Sequence, residues 1–313
     1  MELTAQASAL HGLGYTPREA DFLAKAALHS GCFVMRQYLS YCGSQRGRSG
    51  DDLTAKLLTN RHAATYGTSN RTLLYQLTKP VFVALGEPDN RNRRIKQPLL
   101  TRLRLMALDF VLQYPDREYL STEADKTAFF ADVFGLSGDL LPARTYYAKN
   151  SEQGTTTRYF VEKYPVFRAG AGAAFAYLDE SSMSSFSSFL ARYRSLLEAL
   201  PESQVIYVCT SAKVIDAAEA CFAGIFRRSP VSAHPVECES DFRERRDLES
   251  RPLAELDQAE LRRLRTLIRS PYRQRYEEWM RRGAQAMANE AAPKPSTMPR
   301  FQPCILPTEY SFL

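Results

Sequence analysis

Apolar positions in the first quarter of the chain follow the three-and-four spacing of helices and then change to alternation. Thr16-Pro17-Arg18-Glu19 is a capping box with proline at the first helical position, so a helix starts there. Phe22, Leu23, Ala26 and Ala27 give it one apolar face, and Ser30-Gly31 ends it. Met35, Tyr38, Leu39 and Cys42 mark a second short helix, broken at Gly43-Ser44. Ser49 stands three residues before Asp52 and opens a third, with Leu53, Leu57 and Leu58 inward. Ala63 to Tyr66, the turn Gly67-Thr68-Ser69-Asn70, and Thr72 to Leu77 read as a hairpin. Three helices and a hairpin in this order predict a winged helix-turn-helix over residues 16–77. Its third helix would enter a major groove, and the hairpin would follow the neighbouring backbone.

Beyond the hairpin, Pro80 to Leu85 is a short apolar helix or strand, and residues 89–96 form a polar, basic connection. From Pro98 the helical period returns in Leu99, Leu103, Met106, Ala107, Phe110 and Val111. Thr122 and Asp125 cap the next helix, which buries Phe129, Phe130, Val133 and Phe134 and ends at Gly135. Leu140 to Tyr147 and Arg158 to Phe167 look like strands turning at Gly154. Ala173 to Leu178 and Val205 to Cys209 are continuous apolar strands, each followed by a helical stripe. The first stripe runs from Phe186 to Leu200 and the second from Val214 to Phe226. That alternation predicts parallel pairing in a small open sheet. Leu256, Leu261, Leu264, Ile268, Tyr272, Tyr276 and Trp279 mark amphipathic helices broken near Pro271. The prolines from Pro293 onward exclude a helix and suggest an extended arm. The expected fold class is α+β and multidomain. A winged module (1–88) leads through a basic linker (89–97) to a helical and α/β region (98–240). Basic helices (241–292) and a proline-rich tail (293–313) complete the chain.

Charge sharpens this picture. The 313 residues carry a net +6, and 44% of them are hydrophobic, enough for real cores. Residues 1–97 hold +6, 98–170 balance, 171–240 hold −3 and 241–313 hold +3. The largest excess therefore falls on the winged module, which makes double-stranded DNA the expected partner. Arg46, Arg48, Lys56, Arg61, His62, Asn70 and Arg71 surround the third helix and hairpin as candidate DNA contacts. Arg91, Arg93 and Arg94 extend them into the linker. Asp51 and Asp52 suit a helix N-terminus but would repel DNA at that end. A solvated basic face on a protein-interaction module is the alternative. Residues 171–282, including the arginine-rich helices, are the expected surface for self-association or for a protein partner.

The six cysteines form no C-x-x-C pair and no zinc spacing, which suits a reducing cytosol. No apolar run approaches the ~18 residues of a membrane helix, and Met1-Glu2-Leu3-Thr4 has no secretory character. The expectation is a cytoplasmic bacterial protein with no membrane contact. Enzymatic chemistry has one candidate. Asp179 and Glu180 follow an apolar strand, where open sheets place ligands, and Glu162 could join them around a cation. A metal-dependent DNA nuclease is thus an alternative function, although the strand from Gln204 to Cys209 carries neither acid nor lysine. Gly170-Ala171-Gly172 lacks a phosphate-loop lysine, and no histidine stands in metal or triad spacing. No catalytic residue, metal or cofactor is expected under the leading reading.

Thr16-Pro17-Arg18-Glu19 with Phe22-Leu23, Arg71 to Leu77, and Phe175 to Asp179 followed by Leu190 and Tyr193 form an arrangement across residues 16–226. It resembles the replication-relaxation proteins of plasmids and conjugative elements. The resemblance implies a DNA-binding protein of a mobile element whose sheet domain is related to nucleases and inactive. The helical insert at 98–134 and the basic C-terminal helices depart from that pattern.

Overall fold

The computed structural model describes residues 4–44, 48–68, 72–94, 98–147, 155–162, 164–179, 185–226, 239–252, 255–269, 276, 279, 280, 298–307 and 310. The chain is mixed α/β. Among the described residues it has eleven α-helices and three small sheets, and no helix long and apolar enough to cross a membrane.

Helix α1 (Ala5–His11) occupies what the sequence suggests is a lead-in, with Thr4 Oγ1 accepting the Ala7 N–H. Helix α2 (Pro17–His29) begins on the expected capping box. Thr16 Oγ1 accepts the Glu19 N–H at 3.3 Å, and Glu19 Oε2 accepts the Thr16 N–H at 2.7 Å. Strand β1 (Cys32–Val34) follows, too short to show a period in the sequence. Then come α3 (Met35–Tyr41), α4 (Arg48–Thr59), β2 (Ala63–Gly67), β3 (Leu73–Leu77) and α5 (Lys79–Ala84). Strand β3 pairs antiparallel with both β1 and β2, so the sheet order is β1-β3-β2. Phe22, Phe33, Tyr38, Leu53, Leu57 and Leu77 fill the core of this module. Leu58, expected to face inward, is 43% exposed.

Helix α6 (Pro98–Gln113) differs from its sequence-derived stripe for a physical reason. The stripe assumes one buried face, but α6 is buried on two. Leu108 joins the N-terminal core, while Leu105, Met106 and Phe110 pack with Ala174, Ala176, Ile206 and Val208 of the larger sheet. Leu99, at the head of the expected stripe, is 55% exposed. Helix α7 (Glu123–Phe134) starts on the Thr122–Asp125 capping box and ends on Gly135 in the left-handed conformation, both as expected. Phe129 and Phe130 are buried, and Val133 is not.

Strands β4 (Ala143–Tyr147) and β5 (Thr155–Tyr159) form a separate two-stranded sheet. The single strand expected over 158–167 is broken where Phe160 takes φ 49°, a left-handed conformation that ends β pairing. Strand β6 (Val166–Ala169) begins the larger sheet, and β7 (Gly172–Leu178), α8 (Phe186–Ala199), β8 (Ser203–Cys209) and α9 (Ile215–Phe226) follow in the chain. Helix α10 (Glu239–Ser250) covers a stretch whose charged composition hides its period, and α11 (Gln258–Arg269) follows. The proline-rich tail supplies β9 (Arg300–Ile305), which pairs parallel with β8. The sheet order is β6-β7-β8-β9; β7, β8 and β9 run parallel, and β6 is antiparallel to β7.

The chain divides into two compact units, residues 1–226 with 296–313, and residues 227–295. In the first, Phe186, Phe189, Tyr193 and Leu197 of α8 cover one face of the sheet and α6 covers the other. In the second, Leu248, Leu256, Leu264 and Leu267 form a small core, and Arg263 of α11 binds Asp241 and Glu244 of α10, each at 2.8 Å.

Candidate nucleic-acid interface

The candidate DNA contacts divide between the surface and the interior. Arg48, at the start of α4, is exposed and lies 3.9 Å from Asp52, with Asp51 exposed beside them. Arg61 is exposed just beyond α4, in a left-handed turn (φ 55°) fixed by Thr78 Oγ1, which donates to its carbonyl at 2.6 Å. These two cations flank the third helix. Lys56 does not join them, because its Nζ lies 2.7 Å from Glu19 Oε2, a carboxylate 4% exposed. Glu19 thus closes the α2 capping box and also binds α4 to α2. His62 is turned inward, with Nδ1 2.8 Å from the Tyr15 hydroxyl. Burial lowers the His62 pKa and raises that of Tyr15, which favours the uncharged form of both in this hydrogen-bonded pair. Arg46, Asn70 and Arg71 lie outside the described residues.

The linker carries structural work that its polar composition conceals. Residues Arg91–Arg93 form a 3₁₀ turn, with Arg93 half-buried and Arg94 exposed. Between them Asn92 is 1% exposed, and its Nδ2 donates to the Ala27 and Leu28 carbonyls at the end of α2. Gln76 Nε2 donates to the Gly31 and Asn92 carbonyls, and Arg104 Nη1 to those of Asn92 and Arg94. Gly31 permits this closure. It holds φ 83°, and a Cβ there would sit 2.0 Å from the Asn92 carbonyl oxygen. Arg36 of α3 makes a bidentate bond to Asp109 of α6, at 3.0 and 2.8 Å, and the Tyr310 hydroxyl donates to the same carboxylate. Partners this far apart in the chain leave no local signal.

The two candidate carboxylates that the structure describes, Asp179 and Glu162, are each engaged with a different partner. Asp179 is 3% exposed and accepts a hydrogen bond from the Tyr207 hydroxyl on the neighbouring parallel strand. Glu162 is drawn into an ion pair with Arg192 of α8. Glu180 lies outside the described residues. Among the described residues, no three His, Cys, Asp or Glu side chains stand where they could hold a metal ion.

His29 is the last residue of α2. Its Nε2 lies 3.2 Å from Ser121 Oγ, and its ring meets Tyr119 edge-on. Burial, with Lys126 and Lys25 nearby, lowers its pKa to about 3, so the imidazole is uncharged and cannot complement a helix dipole as a cation. Comparison with known proteins adds no relative: no family model, curated protein or solved structure matches the chain.

Proposed function

We propose that residues 16–77 act as a winged helix that binds double-stranded DNA, with α4 in the major groove. The observation that carries this reading is the sequence of elements α2-β1-α3-α4-β2-β3 on a β1-β3-β2 antiparallel sheet, with one face of α4 open to solvent. Arg48 and Arg61 at the two ends of α4 are the phosphate contacts, and Arg94 is a further one. Lys56 and His62 support the helix from within. In this reading the rest of the first unit serves as a scaffold, and the second unit recruits a partner or a second copy. The resemblance in arrangement to the replication-relaxation proteins supports extending this proposal to an accessory or regulatory factor of a mobile element in a bacterial cytoplasm.

A second reading has its own observation. Leu58 (43%), Tyr66 (41%) and Leu73 (46%) are exposed on α4 and the hairpin, and α4 also carries the exposed acids Asp51 and Asp52. Apolar and acidic surface suits a protein partner better than phosphate.

Fluorescence anisotropy on random duplex DNA over a range of salt concentrations separates the two. DNA binding predicts a steep salt dependence, with each lost phosphate contact lowering the log–log slope by about 0.9. Arg48→Ala/Arg61→Ala should therefore bind more weakly with a slope shallower by about 2. Lys56→Met should change stability without changing the slope. Salt-insensitive or absent binding in the wild-type chain would leave α4 and the hairpin as a protein-docking surface.

A further inference from the structure

A cavity of about 510 Å³ opens in the first unit where the end of α2, the 87–90 loop, the first turn of α7 and the end of β5 meet. This is the size of sites that enclose small organic ligands, and its lining is mixed in the same way. Leu28, Phe160, Val161 and Tyr164 supply apolar surface. Lys126 supplies charge from within. It is 5% exposed, with Nζ 3.0 Å from the Tyr164 carbonyl and 5.6 Å from the centre of the Phe160 ring. The first turn of α7 adds partial positive charge of the same sign. Ser121 and the uncharged His29, 3.2 Å apart, add polar groups without net charge.

Acids limit what such a cavity can hold. Glu87 and Asp89 stand on the 87–90 loop, and Glu123 opens α7. Glu123 is already engaged, since its Oε1 accepts the Tyr159 N–H at 2.8 Å and its Oε2 lies 3.6 Å from Arg158. Arg158, also on the lining, offsets Glu123, and Asp89 is exposed to solvent. The buried Lys126 ammonium is therefore the charge that a ligand meets in the interior, while the loop acids Glu87 and Asp89 oppose a second negative charge such as that of a phosphate dianion.

We propose that this cavity binds a small monocarboxylate with an apolar body, its carboxylate held by Lys126 and Ser121 at the first turn of α7. The site belongs to the first unit alone and does not depend on the DNA reading. The apolar wall supplies affinity that a bare carboxylate lacks, and the lysine supplies the charge selectivity.

Isothermal titration of the full chain tests this with acetate, phenylacetate, indole-3-acetate and adenosine monophosphate as probes. Saturable binding should strengthen by about tenfold or more from acetate to indole-3-acetate, with none for the nucleotide. Lys126→Met should weaken indole-3-acetate by about tenfold or more. Ala124→Trp, at an exposed α7 position on the cavity lining, should block it in a chain whose folding that change does not threaten. The proposal is overturned by any of three results. These are no saturable binding of indole-3-acetate at millimolar concentration, equal binding of the nucleotide, and wild-type binding by the Ala124→Trp protein.

Discussion

Individual side chains here are defined more by their partners than by their types. His29 makes this testable. An unfolded imidazole titrates near 6.5 and the folded one at about 3, so between those values the unfolded chain binds more protons. Stability therefore falls as pH falls through that window, and His62, shifted the same way by burial, adds to the loss. At pH 5 the His29 contribution alone is about 2 kcal/mol relative to pH 8. Urea midpoints measured at the two pH values should differ accordingly, and His29→Gln should flatten the dependence; an unchanged slope in that variant would mean another group titrates. Asp179 makes a second test. Tyr207→Phe removes the hydroxyl that donates to a buried carboxylate and should cost about 1.5–3 kcal/mol in the same unfolding assay. Asp179→Ala should likewise lower stability without altering any Mg²⁺-dependent nicking of DNA. Nicking abolished at wild-type stability would instead make Asp179 a catalytic residue.

At the scale of elements, helix α6 binds the N-terminal module to the larger sheet, since Leu108 faces one core and Phe110 the other. Phe110→Ala should cost about 3–5 kcal/mol. Because the two cores share this helix, hydrogen exchange should reveal amides of β3 and β8 losing protection together. Loss confined to β8 would mean that the N-terminal module folds independently. The elements readable from sequence are those that carry their signals locally. The Thr16 and Thr122 capping boxes, the two apolar strands and the α8 stripe all appear where expected. The others depend on distant partners. Strand β1 is three residues that exist because β3 pairs with them, and the α6 stripe is blurred by burial on two sides. Strand β9 contains Pro303, which would argue against a central strand, but among the described residues β9 pairs with β8 alone and an edge tolerates the missing donor. The candidate site was legible to the same extent. Arg48 and Arg61 are exposed as their positions suggest, whereas nothing in the sequence near Lys56 announces Glu19, 37 residues away.

At the scale of the whole molecule, the order of the chain and the grouping of its parts disagree. Residues 227–295 form their own unit, yet the chain returns from it to complete the first unit with β9 and with Tyr310. The second unit is thus an insertion in the connection from α9 to β9. The hydrogen bonds of β8 to β9 and of Tyr310 to Asp109 are made within the first unit. Replacing residues 227–295 with twenty glycine and serine residues gives a flexible link with a typical reach of about 25 Å. If the first unit needs only its own contacts, this protein should fold and keep its melting temperature within a few degrees of the wild type. A chain ending at residue 226 should behave differently, because it uncovers the β8 edge and the apolar surface beneath Cys304, Leu306 and Tyr310. It should melt earlier and aggregate on heating, as read by light scattering. Equal stability of the two shortened chains would mean that β9 is dispensable and that the sheet is closed by β8. Instability of both would mean that the first unit needs more than its own contacts.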